Sequence, residues 1–91
     1  MSGIVCKYFK VIGKVQGVSF RAFTQRQARL LNLTGWVKNN SDGSVALVAC
    51  GSQDALTSME AWLHIGSDWA RVDRVLVEEA ESEDYDDFNI R

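Results

Sequence analysis

The sequence has no proline, two cysteines and one histidine. Without proline, breaks between elements must be made by glycine and by Asn, Asp and Ser in turns. Cys6 and Cys50 have no second Cys or His at zinc-ligand spacing and form no C-x-x-C, so the sequence carries no pattern for a metal site. The single His64 falls inside a helical pattern with no partner motif and reads as a surface or half-buried helix position. Long apolar runs are missing as well. The longest covers only residues 45–50, whereas a membrane-spanning helix needs about 20 residues. The first residues, MSGIVCKYFK, lack the apolar stretch of a secretory signal, and Ser2 stands where myristoylation requires glycine. These absences lead to the expectation of a soluble, cytoplasmic domain.

Acidic residues are missing from the first part of the chain. Residues 1–41 carry Lys7, Lys10, Lys14, Arg21, Arg26, Arg29 and Lys38 with no Asp or Glu. Residues 42–91 hold all 12 acids and only Arg71, Arg74 and Arg91 as basic residues, so +7 and −9 give the net −2. A basic half points to an anionic partner such as phosphate, carboxylate or nucleic acid. The alternative is that the two halves intermix in space and the charges only solvate the surface.

What is present suffices for one small core. The chain has 91 residues, of which 46% are hydrophobic. A chain of this length buries roughly 60–65% of its unfolded surface on folding, and one domain over 1–91 is expected. Tyr8 to Val15 is β-branched and aromatic with partial alternation, which predicts a first strand over about residues 5–12. Gly13 and Gly17 bracket a short loop. Residues 20–32 then place Phe20, Phe23, Gln27, Ala28, Leu30 and Leu31 near helical spacing, with Asn32 and Gly35 as stop signals. A second strand follows over 35–39, an Asn-Ser-Asp-Gly turn over 40–43, and a third strand over 44–50. Ser52 can cap a second helix with Leu56, Met59, Trp62 and Leu63 as its apolar stripe, closed by Gly66. A fourth strand is expected over 69–78, then an acidic connection over 78–87 and a short closing strand from Phe88 to Arg91.

Strand, helix, strand, strand, helix, strand is the α+β, ferredoxin-like split βαβ plan. Right-handed crossovers give an antiparallel sheet of order 4-1-3-2, with both helices on one face. In that order Cys6 opens strand 1 and Cys50 closes the antiparallel strand 3. A disulfide is then within reach, closing a loop of about 45 residues with a stabilisation on the order of 3–4 kcal/mol. Two buried free thiols are the alternative in a reducing compartment.

The stretch Gly13-Lys14-Val15-Gln16-Gly17-Val18-Ser19-Phe20-Arg21 leaves a strand, turns and enters a helix. Successive N–H groups in such a turn form an anion nest, and the helix N-terminus adds unpaired N–H groups and partial positive charge. Arg21 in the first helical turn is unfavourable for the helix itself, and a bound anion would offset that cost with a bidentate contact. The competing reading pairs Arg21 with an acid from the second half. The loop lacks the G-x-x-x-x-G-K-[ST] pattern of a nucleotide-binding P-loop.

Residues 11–21, V-I-G-K-V-Q-G-V-S-F-R, resemble the first signature of the acylphosphatase family. Residues 35–51, G-W-V-K-N-N-S-D-G-S-V-A-L-V-A-C-G, resemble its second signature at a fitting separation. The resemblance is strongest over 4–51 and continues through helix 2, strand 4 and the closing F-x-I-R. It implies hydrolysis of the carboxyl-phosphate bond of acyl phosphates by water, with no metal, no cofactor and no covalent intermediate. It maps the phosphate-binding arginine onto Arg21, the water-orienting asparagine onto Asn39, and the cradle of amides onto Gln16, Gly17, Val18, Ser19, Phe20 and Arg21. A cysteine pair at matching positions occurs in some bacterial members and supports pairing of Cys6 with Cys50. Two positions depart from the pattern: Ser19, where glycine or a bulky residue is frequent, and Ala46, where an acid is common. The partner implied is a small acyl phosphate, with inorganic phosphate or sulfate competing, and neither nucleic acid nor membrane. The chain is expected to act as a monomer. Two other readings carry their own tests: a non-catalytic anion-binding module, and a nucleic-acid binder using Tyr8 and Trp36 on an open sheet face.

Overall fold

A computed structural model describes residues 3–91; Met1 and Ser2, where the myristoylation pattern fails, lie outside the described residues. The elements are β1 (Val5–Lys14), α1 (Phe20–Leu30), β2 (Thr34–Asn39), β3 (Val45–Gly51), α2 (Gln53–Ile65), β4 (Arg71–Ala80) and β5 (Phe88–Ile90). They form one sheet of order β4-β1-β3-β2-β5. The four longer strands pair antiparallel in the expected order. β5 adds a parallel edge beside β2, with Gly35 opposite Phe88 and Val37 opposite Ile90, so the sheet is mixed.

Period-two alternation decides which side chains meet the helices. Phe9 and Val11 of β1, Val37 of β2, and Val45, Leu47 and Ala49 of β3 point to one face and are buried. They pack with Phe20 and Ala28 of α1, with Leu56, Met59 and Leu63 of α2, and with Phe88. Both helices therefore cover the same face. The ring of Phe20 stacks on Trp62 at 5.7 Å, tying the start of α1 to α2. The other face carries a smaller cluster of Cys6, Val48 and Cys50, flanked by Tyr8, Trp36, Ala80 and Tyr85. Cys6 and Cys50 are opposite one another in the β1–β3 register and are joined as a disulfide.

Several element ends differ from the sequence expectation, each for a local reason. β1 runs on to Lys14 because β4 continues to pair with it past a register shift at Ile12/Gly13. A Cβ at Gly13 would run into the carbonyl of Arg71, so the close approach of β4 requires glycine there. α1 stops at Leu30 rather than residue 32. Asn32 is left-handed (φ 59°), Leu33 N–H donates to the Ala28 carbonyl at 2.9 Å, and Asn32 N–H donates to the Arg29 carbonyl at 3.1 Å. These paired bonds close the helix as a Schellman motif with asparagine in the glycine position. Gly35 is no stop signal but a buried residue of β2. β4 begins at Arg71, because Ala70 N–H turns back onto the Ser67 carbonyl and leaves Trp69 exposed in the connection. It continues to Ala80, opposite Cys6, which shortens the acidic connection to 81–87.

Candidate active site

β1 and β2 both run antiparallel to β3, so they are parallel to each other and end at the same rim of the sheet. Val45 is the common rung, paired with Val11 on one side and Asn39 on the other. Beyond it, the loop leaving β1 and the end of β2 border one cleft of about 410 Å³. The cleft is lined by Val15, Gly17, Ser19, Phe20, Arg21, Ala22, Asn39 and Ile90.

The loop has the backbone of an anion nest. Gly17 (φ 76°) and Ser19 (φ 60°) are both left-handed, a conformation that breaks the ladder and turns N–H groups inward. Ser19 caps α1 without a side-chain bond to the helix. Among the described residues, no N–H from Gln16 to Arg21 meets an acceptor. The first turn of α1 holds no acid to occupy its positive end.

Arg21 stands in that turn. Its Nη1 donates to the main-chain oxygen of Arg91 at 3.3 Å, and among the described residues no carboxylate side chain pairs with it. The alternative of an ion pair with the acidic half applies instead to Arg29. Its guanidinium donates to both oxygens of Asp87, at 3.1 and 2.8 Å, and holds that carboxyl below its ordinary range. Lys10 likewise meets Asp42 at 3.1 Å. The two halves of the chain do intermix, but among the described residues these ion pairs take only Lys10 and Arg29 from the first half, and Arg21 is one of those not taken.

Asn39 is exposed at the cleft, and its carboxamide makes no hydrogen bond among the described residues. The turn that follows is built by its neighbours. Asn40 Nδ2 donates to the Ser44 hydroxyl at 2.9 Å. The Asp42 carboxylate accepts from the hydroxyl and the N–H of Ser44 at 2.6 and 2.9 Å. Those bonds, the hydroxyl's first, and Lys10 hold the Asp42 carboxyl well below the usual carboxylate range.

Of the residues singled out in the sequence, Gly17, Ser19, Phe20, Arg21 and Asn39 meet at the cleft. Gln16 and Val18 do not line it: Val18 packs on the core, and the Gln16 side chain turns toward the β2–β3 connection. Val15, Ala22 and Ile90 also line the cleft and carried no chemical signal in the sequence. Ile90 arrives there through the parallel pairing of β5, which no short-range pattern announces. Among the described residues no cluster of three or more His, Cys, Asp or Glu side chains could hold a metal ion. No helix among them is long and apolar enough to cross a membrane.

The acylphosphatase family model matches residues 7–90. The chain belongs to the acylphosphatase family. It is 49% identical to an acylphosphatase of Coxiella burnetii over 86 residues, covering 94% of this chain and 90% of that protein. The solved structure of an acylphosphatase from Coxiella burnetii superposes with a TM-score of 0.94 at 48% identity, covering 97% of this chain and 93% of the other. That of acylphosphatase from Bacillus subtilis gives 0.92 at 38% identity, covering 98% and 99%. Both signatures of this acylphosphatase-family chain thus lie inside one matched region, and both border the same cleft.

Proposed function

We propose that this chain hydrolyses acyl phosphates to a carboxylate and inorganic phosphate, using Arg21 and Asn39. Family membership supports the reaction class. One observation carries the assignment of residues: a permanently charged fork and a carboxamide, neither engaged by another side chain among the described residues, share a cleft with Gly17, Ser19 and Phe20, whose N–H groups meet no acceptor among them.

The phosphoryl group binds in the loop, its oxygens taking hydrogen bonds from the N–H groups of residues 16–21 and from the Arg21 guanidinium. Negative charge on the equatorial oxygens is met by fixed donors as the bond to the acyl oxygen lengthens. Asn39 holds a water through its carboxamide oxygen, in line with the breaking bond. The water oxygen bonds to phosphorus while the acyl C–O oxygen departs with the electron pair of the P–O bond as a carboxylate. An amide is no base near neutral pH, so the water's proton passes to a phosphate oxygen or to the departing carboxylate. The leaving group is stable as an anion and needs little acid assistance.

Arg21 and the loop N–H groups supply the positive field, so the reading assigns no metal, no cofactor and no covalent intermediate. His64 is exposed on the last turn of α2 and does not line the cleft. The rate is therefore expected to show no step near pH 6.5, the ordinary imidazole value. Inorganic phosphate and sulfate compete for the same loop.

The test is the hydrolysis of benzoyl phosphate in EDTA, run in ¹⁸O-labelled water. Turnover with the label in phosphate alone is the expected result. Label in benzoate would mean attack at carbon. Phosphate binding without turnover would make the domain an anion-binding module.

A further inference from the structure

We propose that the side chain of Gln16 is a positioning residue that sets the loop's register against Asn39; this rests on the proposed function above. Gln16 lies in the loop, yet its carboxamide does not line the cleft. Its Nε2 donates both protons across to the β2–β3 connection, to the carbonyl of Asn40 and to the carbonyl of Ser44, each at 2.8 Å. Because both partners are carbonyl oxygens, only the NH₂ side of the amide can face them.

The two acceptors are the ends of the turn that follows Asn39. Asn40 N–H already donates to the Ser44 carbonyl at 2.9 Å, and Gly43 N–H donates to the Asn40 carbonyl at 3.2 Å. Gln16 completes the second lone pair of each oxygen. Among the described residues, these are the only side-chain hydrogen bonds joining residues 15–19 to the end of β2 or its turn. The loop otherwise meets β2 through apolar packing, with Val15 and Phe20 buried in the same core as Val37, and through the ladder from β1 across β3. A single side chain thus links the phosphate-holding loop to the residue next to Asn39. In-line attack depends on the distance between those two parts, and a displacement on the order of 1 Å costs about 100-fold in rate.

Gln16→Met keeps the length and removes both donors. Gln16→Glu keeps the shape but sets a carboxylate against two carbonyls; when protonated it regains one donor. Benzoyl phosphate hydrolysis and competitive inhibition by inorganic phosphate are to be measured for both variants and wild type from pH 4.5 to 7.5, with thermal melts confirming folding. For Gln16→Met, kcat should fall about 10- to 100-fold, with the phosphate inhibition constant within about threefold of wild type, since the nest itself is intact. Gln16→Glu should match that loss at pH 7.5 and recover relative to Gln16→Met as the pH falls and its carboxyl protonates.

A purely structural role would lower the melting temperature without this split or this pH-dependent recovery. The proposal is overturned if Gln16→Met keeps kcat within about twofold. It is equally overturned if phosphate affinity and kcat fall together, or if the ratio of the two variants is flat with pH. If neither variant folds, the side chain is required for folding and the positioning role fails. A wild type that binds phosphate but does not turn over benzoyl phosphate overturns the proposed function, and this role with it.

Discussion

Ser19 is the residue at which local preference and the fold disagree. It is left-handed at φ 60°, a region that costs a residue with a side chain about 1–2 kcal/mol. Its hydroxyl gives no helix cap in return. Ser19→Gly removes that strain but adds about 0.5–1 kcal/mol of unfolded-chain entropy. The variant is expected to be up to about 1.5 kcal/mol more stable by urea denaturation; a lower midpoint would show that the serine side chain holds the loop. Much at this scale was legible in the sequence. Arg21 stood out because a cation at a helix start has no structural reason to be there. Asn39 was singled out by the resemblance, while Asn40 and Asp42 read as turn residues, and in the structure those two build the turn. The Gln16 bonds were not legible, because their acceptors are main-chain carbonyls 24 and 28 residues away, and any residue can supply a carbonyl.

At the scale of elements, the order of strands and helices followed from periodicity and turn residues, while the ends followed from pairing. Trp69 and Ala70 continue the apolar look of β4 but lie in a turn, whereas Glu79 and Ala80 look like part of the acidic connection and are strand. The first end is set by the Ala70 to Ser67 turn and the second by pairing with β1, and a partner strand is invisible to a local reading. The parallel placement of β5 is the same kind of information. The β2–β3 turn carries a pH dependence. The Asp42 carboxyl is lowered, chiefly by the Ser44 hydroxyl, and Asp87 is lowered by Arg29. A lowered folded value means that the folded chain binds protons less readily than the unfolded one. The contribution is therefore complete above the unfolded value of about 4 and is lost as pH falls from there through the folded value. Both carboxylates are exposed, so each effect is small. The urea midpoint should decline below about pH 4. Asp42→Asn should be less stable than wild type at pH 7, with the gap closing in acid. A gap that is constant with pH would assign the effect to something other than ionisation.

For the whole molecule, the sheet separates what stabilises from what reacts. The disulfide joins the two central strands on the face away from the helices, at the end opposite the Val45 rung from which the cleft opens. It closes a loop of 44 residues in sequence separation. Reduction with a phosphine should lower stability on the order of 3–4 kcal/mol, read as a fall in the urea midpoint, while hydrolysis in the absence of denaturant continues. An unchanged midpoint after complete reduction would contradict the account of the cross-link. The charge asymmetry of the sequence also resolves at this scale. Among the described residues, Lys10 and Arg29 are met by Asp42 and Asp87 of the second half, and the other basic residues of the first half, Arg21 among them, form no ion pair. The sequence showed the imbalance, but only the packing shows which basic residues are paired and that Arg21, of those left over, lines the cleft.

The central claim is a division of labour: Arg21 holds the phosphate and Asn39 aims the water. It is tested most directly by comparing Asn39→Ala with Arg21→Lys in one assay of benzoyl phosphate turnover and competitive inhibition by phosphate. Asn39→Ala should lose more than about 100-fold in kcat with the phosphate inhibition constant within about threefold of wild type. Arg21→Lys keeps the charge but loses the fork, and should weaken phosphate binding and turnover together. An Asn39→Ala variant that binds phosphate far more weakly yet turns over at the wild-type rate when saturated would contradict the assignment.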